Sequence, residues 1–391
     1  LADPFNQGVM LIAYDATTLK PGQSGIGYYT EHLLRHLLLE APHDRFLLCS
    51  NRPIHTSLPL PAPVECLSPG LVPLSSLWLQ LEAPLRLKRY RPQLLHFTNS
   101  VAPLARLGPT VVTIHDMSLT LLPQFHPWRR RLTRSLVRAS LRRADAVITV
   151  SRSAARDLVR LLPLDPSRVH VIPEAPAEMF RPIREPAVLD GVRRRYGLPD
   201  RFILSVGTLE PRKNLVRLVE AYLGARRRGT LDGYALVLVG RRGWYNQELD
   251  RVLRSAGPGI ILTGYVPFQD LPAVYNLSTM FVFPSLYEGF GLPVLEAMAC
   301  GIPVVTSLGT ALEEIAEGAA KLADPLDVES IAAAIESLAA QPELRQELAR
   351  RGIDQAARFS WSRAARETLE VYRRYCSLPP PSSRFTPEVP P

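Results

Sequence analysis

Residues 283–307, from Phe283 to Ser307, read FPSLYEGFGLPVLEAMACGIPVVTS. The stretch spells strand, glycine-bearing turn, short helix, strand. Gly289 and Gly291 allow a tight turn and a close approach of backbone to a ligand. Pro293 suits the first helical turn, where its missing N–H costs nothing, and Gly301 suits the helix stop. The helix thus opens at a strand's carboxyl end with its N–H groups toward a cleft, an arrangement suited to phosphate.

The same alternation extends in both directions. Upstream, strand candidates are Val9–Tyr14, Arg45–Leu48, Leu94–Phe97, Thr110–Ile114, Ala146–Val150 and Val169–Ile172, with helical patterns such as Gly25–Leu39 between most of them. The pattern restarts at Phe202–Val206 and continues through Tyr234–Val239, Ile260–Leu262, Met280–Phe283 and Pro303–Val305. Continuous apolar strands separated by helices predict parallel sheets covered on both faces. The proline-bearing stretch 173–199 has few strand formers and reads as the linker. We therefore expect α/β architecture, with two Rossmann-like doubly wound domains facing a central cleft. Their boundaries are 1–182 and 183–360, a closing helix spans about 361–377, and residues 378–391 form a mobile, proline-rich tail.

Length and composition agree. The chain has 391 residues, 46% hydrophobic and 21% charged, enough for two cored domains and unlike a disordered or collagenous chain. No apolar run reaches the roughly 18 residues of a membrane span, and the first residues lack the basic and apolar regions of a signal peptide. Cys49, Cys66, Cys300 and Cys376 stand far apart, without zinc or redox spacing, which suggests a reducing compartment. The net charge of +9 is uneven: residues 1–180 hold 20 Lys and Arg against 13 Asp and Glu. The excess sits in Arg86–Arg91 and Trp128–Arg143. It is either a solvated helix face or a face for anionic lipid, phosphate or nucleic acid.

Glu288 and Glu296 are eight positions apart, a helical rise of roughly 12 Å. Glycosidase carboxylates flank one bond at about 5–9.5 Å, so this pair better fits two parts of one long ligand, such as a nucleotide sugar. The structural alternative is a helix-capping Glu288 and a surface Glu296. EGFGLPVLE, residues 288–296, with the following AMACGIPVV, resembles the E-x7-E signature of retaining glycosyltransferases of family 4 (group 1), which have the GT-B fold. The resemblance implies that Glu288 bonds the donor sugar's hydroxyls and Glu296 the ribose. It also implies that Gly289, Phe290 and Gly291 line the donor pocket.

Further elements match that family. VGTLEPRKN, residues 206–214, places Gly207 at a strand end and Arg212 and Lys213 beside it, two cations for a departing diphosphate. Similar enzymes use the lysine and an arginine directly after the glycine. Thr208 stands there instead, and Arg212 is the candidate replacement. Gly25 and Gly27 occupy the place of the family's N-terminal glycine-rich loop, near the leaving phosphates. His115 in TIHD is either a satisfied structural histidine or, by resemblance, a polar contact to the sugar with Asp116 to orient it. Arg241 in VGRRGW is either a nucleotide contact or solvated. The candidate catalytic set is His115, Glu288, Lys213 and Arg212. The donor-binding set is Gly25, Gly27, Gly207, Arg241, Gly289, Phe290, Gly291 and Glu296.

The resemblance implies transfer of a hexose, with retained anomeric configuration, from a nucleoside diphosphate sugar to a glycan or lipid-linked saccharide. It is strongest to bacterial mannosyltransferases of polysaccharide and lipopolysaccharide synthesis. GDP-mannose is the first expectation and UDP-glucose the second. No cofactor and no metal are expected, since there is no D-x-D sequence and no His/Cys cluster. The expected place is the cytoplasm, peripheral to the membrane's inner face through the basic patches. The alternatives are a GT-B UDP-sugar epimerase, or a non-catalytic protein binding nucleotide sugar or nucleic acid. For nucleic acid no recognition signature is evident.

Overall fold

The computed structural model describes residues 9–22, 25–57, 59–127 and 133–376. Arg129–Arg131, with Trp128 and Leu132, and the tail 378–391 lie outside the described residues.

Seven strands form the first sheet: β1 (Leu11–Asp15), β2 (Arg45–Cys49), β3 (Glu65–Leu67), β4 (Leu94–Phe97), β5 (Thr110–Ile114), β6 (Ala146–Thr149) and β7 (Val169–Val171). Six form the second: β8 (Phe202–Val206), β9 (Ala235–Val239), β10 (Ile260–Gly264), β11 (Met280–Phe283), β12 (Val304–Ser307) and β13 (Lys321–Ala323). The orders are β3-β2-β1-β4-β5-β6-β7 and β10-β9-β8-β11-β12-β13, and every pairing is parallel. The inner strands are buried on both faces, as in FILSV of β8 and AVIT of β6. That burial is what continuous apolar runs require. The solved fold is two Rossmann-like domains.

Each sheet reverses its strand order once, between β1 and β4 and between β8 and β11. A crevice opens at the carboxyl ends of the strands at such a reversal. The loops after β8 and β11, far apart in sequence, become neighbours there. They are tied together: Leu286 N–H donates to the Arg212 carbonyl at 2.9 Å, and Ser285 Oγ lies 3.0 Å from the same oxygen. Asn214, at φ 60°, donates to the carbonyls of Pro284 and Pro325.

Three details differ from the sequence reading. Gly25 and Gly27 are not in a loop but in the first turn of helix Gly25–Glu40, whose buried face of Leu33, Leu34, Leu37 and Leu38 extends the helical pattern back to them. The stretch 173–199 is not purely linker, because Pro186–Tyr196 is a helix. Proline opens it and Gly197, at φ 61°, closes it in the left-handed conformation that glycine adopts freely. A helix at Ser75–Tyr90, read only as a basic run, connects β3 to β4.

The last described helix, Trp361–Cys376, packs on helix Gly25–Glu40 of the first domain. Tyr372 on it reaches into that domain. Its hydroxyl lies 2.6 Å from Nδ1 of the buried His96, whose Nε2 lies 2.8 Å from Thr113 Oγ1. The chain therefore leaves the first domain and returns to close it. All four cysteines are free thiols.

Candidate active site

The loop after β11 places Glu288 beside the loop after β8. Lys213 Nζ donates to Glu288 Oε1 at 2.7 Å, and Arg212 Nη1 to Glu288 Oε2 at 2.6 Å. Ser285 Oγ–H also donates to Oε1, at 2.6 Å. Burial alone would raise the Glu288 pKa, but Arg212 and then Lys213 pull it down to about 2, so the carboxylate stays charged. Burial lowers the Lys213 pKa, with Glu288 opposing.

The two cations differ in how they are spent. Arg212 commits Nε and Nη2 to Glu210 Oε1, at 3.2 and 2.8 Å, and Nη1 to Glu288 and to the Tyr287 carbonyl. Those are four bonds for a side chain with five donors. Lys213 spends one of three donors on Glu288 and packs its ammonium 4.6 Å from the Phe283 ring centroid. Arg212 is thus a clamp on Glu288, while Lys213 keeps capacity for an anion.

Gly291, at φ 129°, precedes helix Leu292–Ala299. A side chain there would be strained and would press on Leu312. Gly289 lies against the opposite domain, where a Cβ would come 1.7 Å from the His115 carbonyl oxygen. Ser151 Oγ–H, from the first domain, donates to the Gly289 carbonyl at 2.6 Å. Phe290 turns away from the cleft, its ring edge-on to Phe359 with centroids 5.9 Å apart. Only its backbone belongs to the loop.

Glu296 sits one helix face further in. Its Oε2 accepts from Tyr275 Oη–H at 2.9 Å, and burial raises its pKa to about 7. Gly207, at φ 152°, and Gly240, at φ 150°, let the loops after β8 and β9 touch, for a Cβ on Gly240 would lie 1.9 Å from the Gly207 carbonyl oxygen. The Arg241 guanidinium stacks over Tyr265, 4.1 Å from the ring centroid. Across the cleft, Tyr28 stacks on Phe268 at 4.2 Å.

His115 follows β5. Its Nδ1 lies 2.9 Å from Glu174 Oε1 and its Nε2 2.9 Å from the Thr98 carbonyl. A carbonyl and a carboxylate both accept, so these two partners favour the protonated imidazole, which donates from both ring nitrogens. Burial opposes that charge, but the Glu174 carboxylate raises the pKa above its usual value. Asp116 does not orient the ring; it accepts from Ser118 N–H and Oγ–H. Glu174 and Thr98 went unread in the sequence because they lie outside any motif, and Glu210, inside residues 206–214, because only the glycine and the two cations of that stretch were read as functional. Glu174 sits in the proline-rich stretch. Among the described residues no group of three or more His, Cys, Asp or Glu is gathered as metal ligands.

Two parallel-sheet domains whose switch points face one cleft, with a carboxylate and two cations there, define the GT-B class of glycosyltransferase. Solved structures share that fold. WaaG, a glycosyltransferase involved in lipopolysaccharide biosynthesis, superposes with a TM-score of 0.72 at 15% identity, covering 92% of this chain and 99% of its own. Sucrose-phosphate synthase from Thermosynechococcus elongatus gives 0.72 at 20% identity, over 93% and 98%. The profile for glycosyl transferases group 1 matches residues 193–355, and that for glycosyltransferase family 4 matches residues 23–175. An O-antigen chain mannosyltransferase B of Escherichia coli is 37% identical over 295 residues, 73% of this chain and 76% of that one. The serotype-specific mannosyltransferase WbdA of Escherichia coli is 36% identical over 245 residues, 60% of this chain but 29% of its own length. The chain belongs to glycosyltransferase family 4 and is a glycosyltransferase.

Proposed function

We propose that the chain transfers mannose from a nucleoside diphosphate mannose, GDP-mannose before any other, to a glycan or lipid-linked saccharide of the O-antigen kind. The configuration of the sugar is retained and no metal is needed. UDP-glucose ranks second as donor. The observation that carries this reading is the Glu288 carboxylate held between Lys213 and Arg212 at the switch point, with the N-terminus of helix Leu292–Ala299 beside it. Similarity to the O-antigen mannosyltransferase supports the choice of sugar and acceptor.

In this reading the diphosphate meets Lys213 and the N–H groups after Gly291, so charge that grows as the sugar departs is met by fixed donors. Glu288 accepts from sugar hydroxyls, held in place by Arg212, which Glu210 holds in turn. Glu296 accepts from the ribose. The acceptor enters on the face the phosphate leaves. The departing phosphate takes its proton, so the O–H and sugar–phosphate bonds break as the new glycosidic bond forms. His115, with both nitrogens engaged by Glu174 and the Thr98 carbonyl, brings its backbone carbonyl to the cleft at Gly289. A lipid-linked acceptor places the work at the inner face of the cytoplasmic membrane, with peripheral contact.

The test is a thermal-shift panel of GDP, UDP, ADP and their sugars. A ligand at about 100 times its Kd stabilises the native state by about 2.7 kcal/mol. GDP and GDP-mannose are expected to give the largest shifts. Equal shifts from all three nucleotides, or none, contradict the donor assignment.

A further inference from the structure

Helix Ser75–Tyr90 presents two apolar faces where a surface helix ordinarily presents one. Trp78, Leu79, Ala83 and Leu87 are buried in the first domain's core. On the outer side Leu77, Leu81 and Leu85 are 48%, 60% and 67% exposed, and Leu74 and Leu71, just before the helix, are 59% and 94% exposed. At 3.6 residues per turn, positions 74, 77, 81, 85 and 88 fall within an arc of about 80°. The stripe therefore runs straight into Lys88, followed by exposed Arg89 and Arg91. Between residues 71 and 93 the sole carboxylate is Glu82. It is turned inward onto Arg86 and the N–H groups of Leu71 and Val72.

We propose that this leucine stripe and its basic end form a docking surface for an anionic lipid bilayer, which rests on a lipid-linked acceptor for its purpose though not for its geometry. Charge complementarity selects the occupant. The outward groups of the segment are leucines and cations, the pairing an interfacial helix uses on anionic membranes. Size argues against a second copy of the chain. The stripe is about 21 Å long and about 10 Å wide, roughly a quarter of the ~800 Å² per partner that a stable protein interface buries.

The placement is also useful. The helix follows β3 and precedes β4 in a parallel sheet, so it starts at the carboxyl edge, the edge that faces the cleft. With the stripe in the interface, the Leu71–Leu77 end lies where an acceptor rising from the membrane meets the site. No helix among the described residues is long and apolar enough to cross a membrane, so the proposed contact is one of surface attachment.

The test is co-sedimentation with phosphatidylcholine vesicles, with and without phosphatidylglycerol, beside turnover on a short soluble mannoside. Wild type is expected to partition onto the anionic vesicles and little onto neutral ones. Leu81→Ser and Leu85→Ser combined should lower that partition at least tenfold and leave soluble turnover unchanged. Lys88→Ser, Arg89→Ser and Arg91→Ser combined should lower it at moderate salt. Should the leucine variant fold poorly, Leu81→Trp gives an independent reading: its added fluorescence should be quenched by brominated lipid in anionic vesicles. Unchanged partition of the leucine variant overturns the proposal. So does equal binding of neutral vesicles, an unquenched tryptophan, or a solution dimer that the leucine substitutions dissociate. Vesicle binding is read without donor, so a failure of the mannosyl-transfer reading shows separately, as absent turnover on the mannoside.

Discussion

At the scale of single residues the account turns on how charge is shared around Glu288. Replacing Glu288 by Gln removes a carboxylate that takes three hydrogen bonds. Turnover should fall at least tenfold, about 1.4 kcal/mol of transition-state stabilisation. Wild-type kinetics in that variant would return Glu288 to a structural role. The cations separate by their free donors. Lys213→Met should weaken GDP binding, because the phosphate loses its ammonium. Arg212→Lys should lower kcat and leave GDP affinity close to wild type, because the clamp on Glu288 loosens while the phosphate partner stays. The reverse split, read from kcat and GDP inhibition, would make Arg212 the phosphate ligand. Glu296 supplies a pH signature. Its folded pKa of about 7 stands above the ordinary 4.5 because of burial. The unfolded chain ionises first, so this group's contribution favours folding below pH 4.5 and is lost as pH rises to about 7. The ribose needs the ionised acceptor, so GDP affinity should rise with pH through 7. Glu296→Gln should flatten that profile, and an unchanged slope in titration calorimetry would remove Glu296 from the nucleotide site. The sequence motif named Glu288, Lys213 and Glu296 because their spacing is local. Glu174 and Thr98 were illegible because strand order brings His115 to them, and Glu210 because only the folded loop turns Arg212 back onto it.

Among elements, the strand–turn–helix of residues 283–300 reads directly from sequence, since each boundary carries its own proline or glycine. Helix Pro186–Tyr196 was hidden by the prolines on either side of it, although its own Pro186 start and Gly197 stop are ordinary helix signals. Helix Ser75–Tyr90 was hidden for another reason. Its leucines face both inward and outward, so no single apolar stripe stands out, and Pro84, a helix breaker in sequence terms, lies inside it. The turn at Gly289 has a consequence that a motif cannot give. A methyl group there meets the His115 carbonyl of the opposite domain. Gly289→Ala should therefore hold the cleft open, lowering kcat/KM at least tenfold with little change in melting temperature. A large loss of stability with normal activity in the folded fraction would place the contact outside the working state. The closing helix invites a different test. Tyr372→Phe leaves buried His96 without one hydrogen-bond partner, a loss of about 1–3 kcal/mol, to be read as a lower melting temperature. An unchanged melting temperature would leave that network without a stabilising role.

Across the whole molecule, specific contacts among the described residues join the two domains. Glu314 accepts from the N–H groups of Arg152 and Ser153, Tyr287 donates to Asp157, and Trp244 donates to the Phe125 carbonyl. These join the sheet edges that carry His115 on one side and Glu288 on the other, so the contacts that join the domains also bring the two halves of the site together. Two-domain architecture was legible from the restart of the strand pattern at residue 202. How the domains meet was not, because those contacts join residues 119 to 162 positions apart. The most direct test of the central claim is transfer itself. Octyl α-mannoside is incubated with GDP-mannose labelled with carbon-13 at the anomeric carbon, in excess chelator, and the product's anomeric configuration is read by NMR. The account predicts an α-linked disaccharide, formed at the same rate with chelator as without and lost in Glu288→Gln. A β-linked product, transfer only after a divalent metal is restored, or no transfer of mannose from GDP-mannose would contradict it.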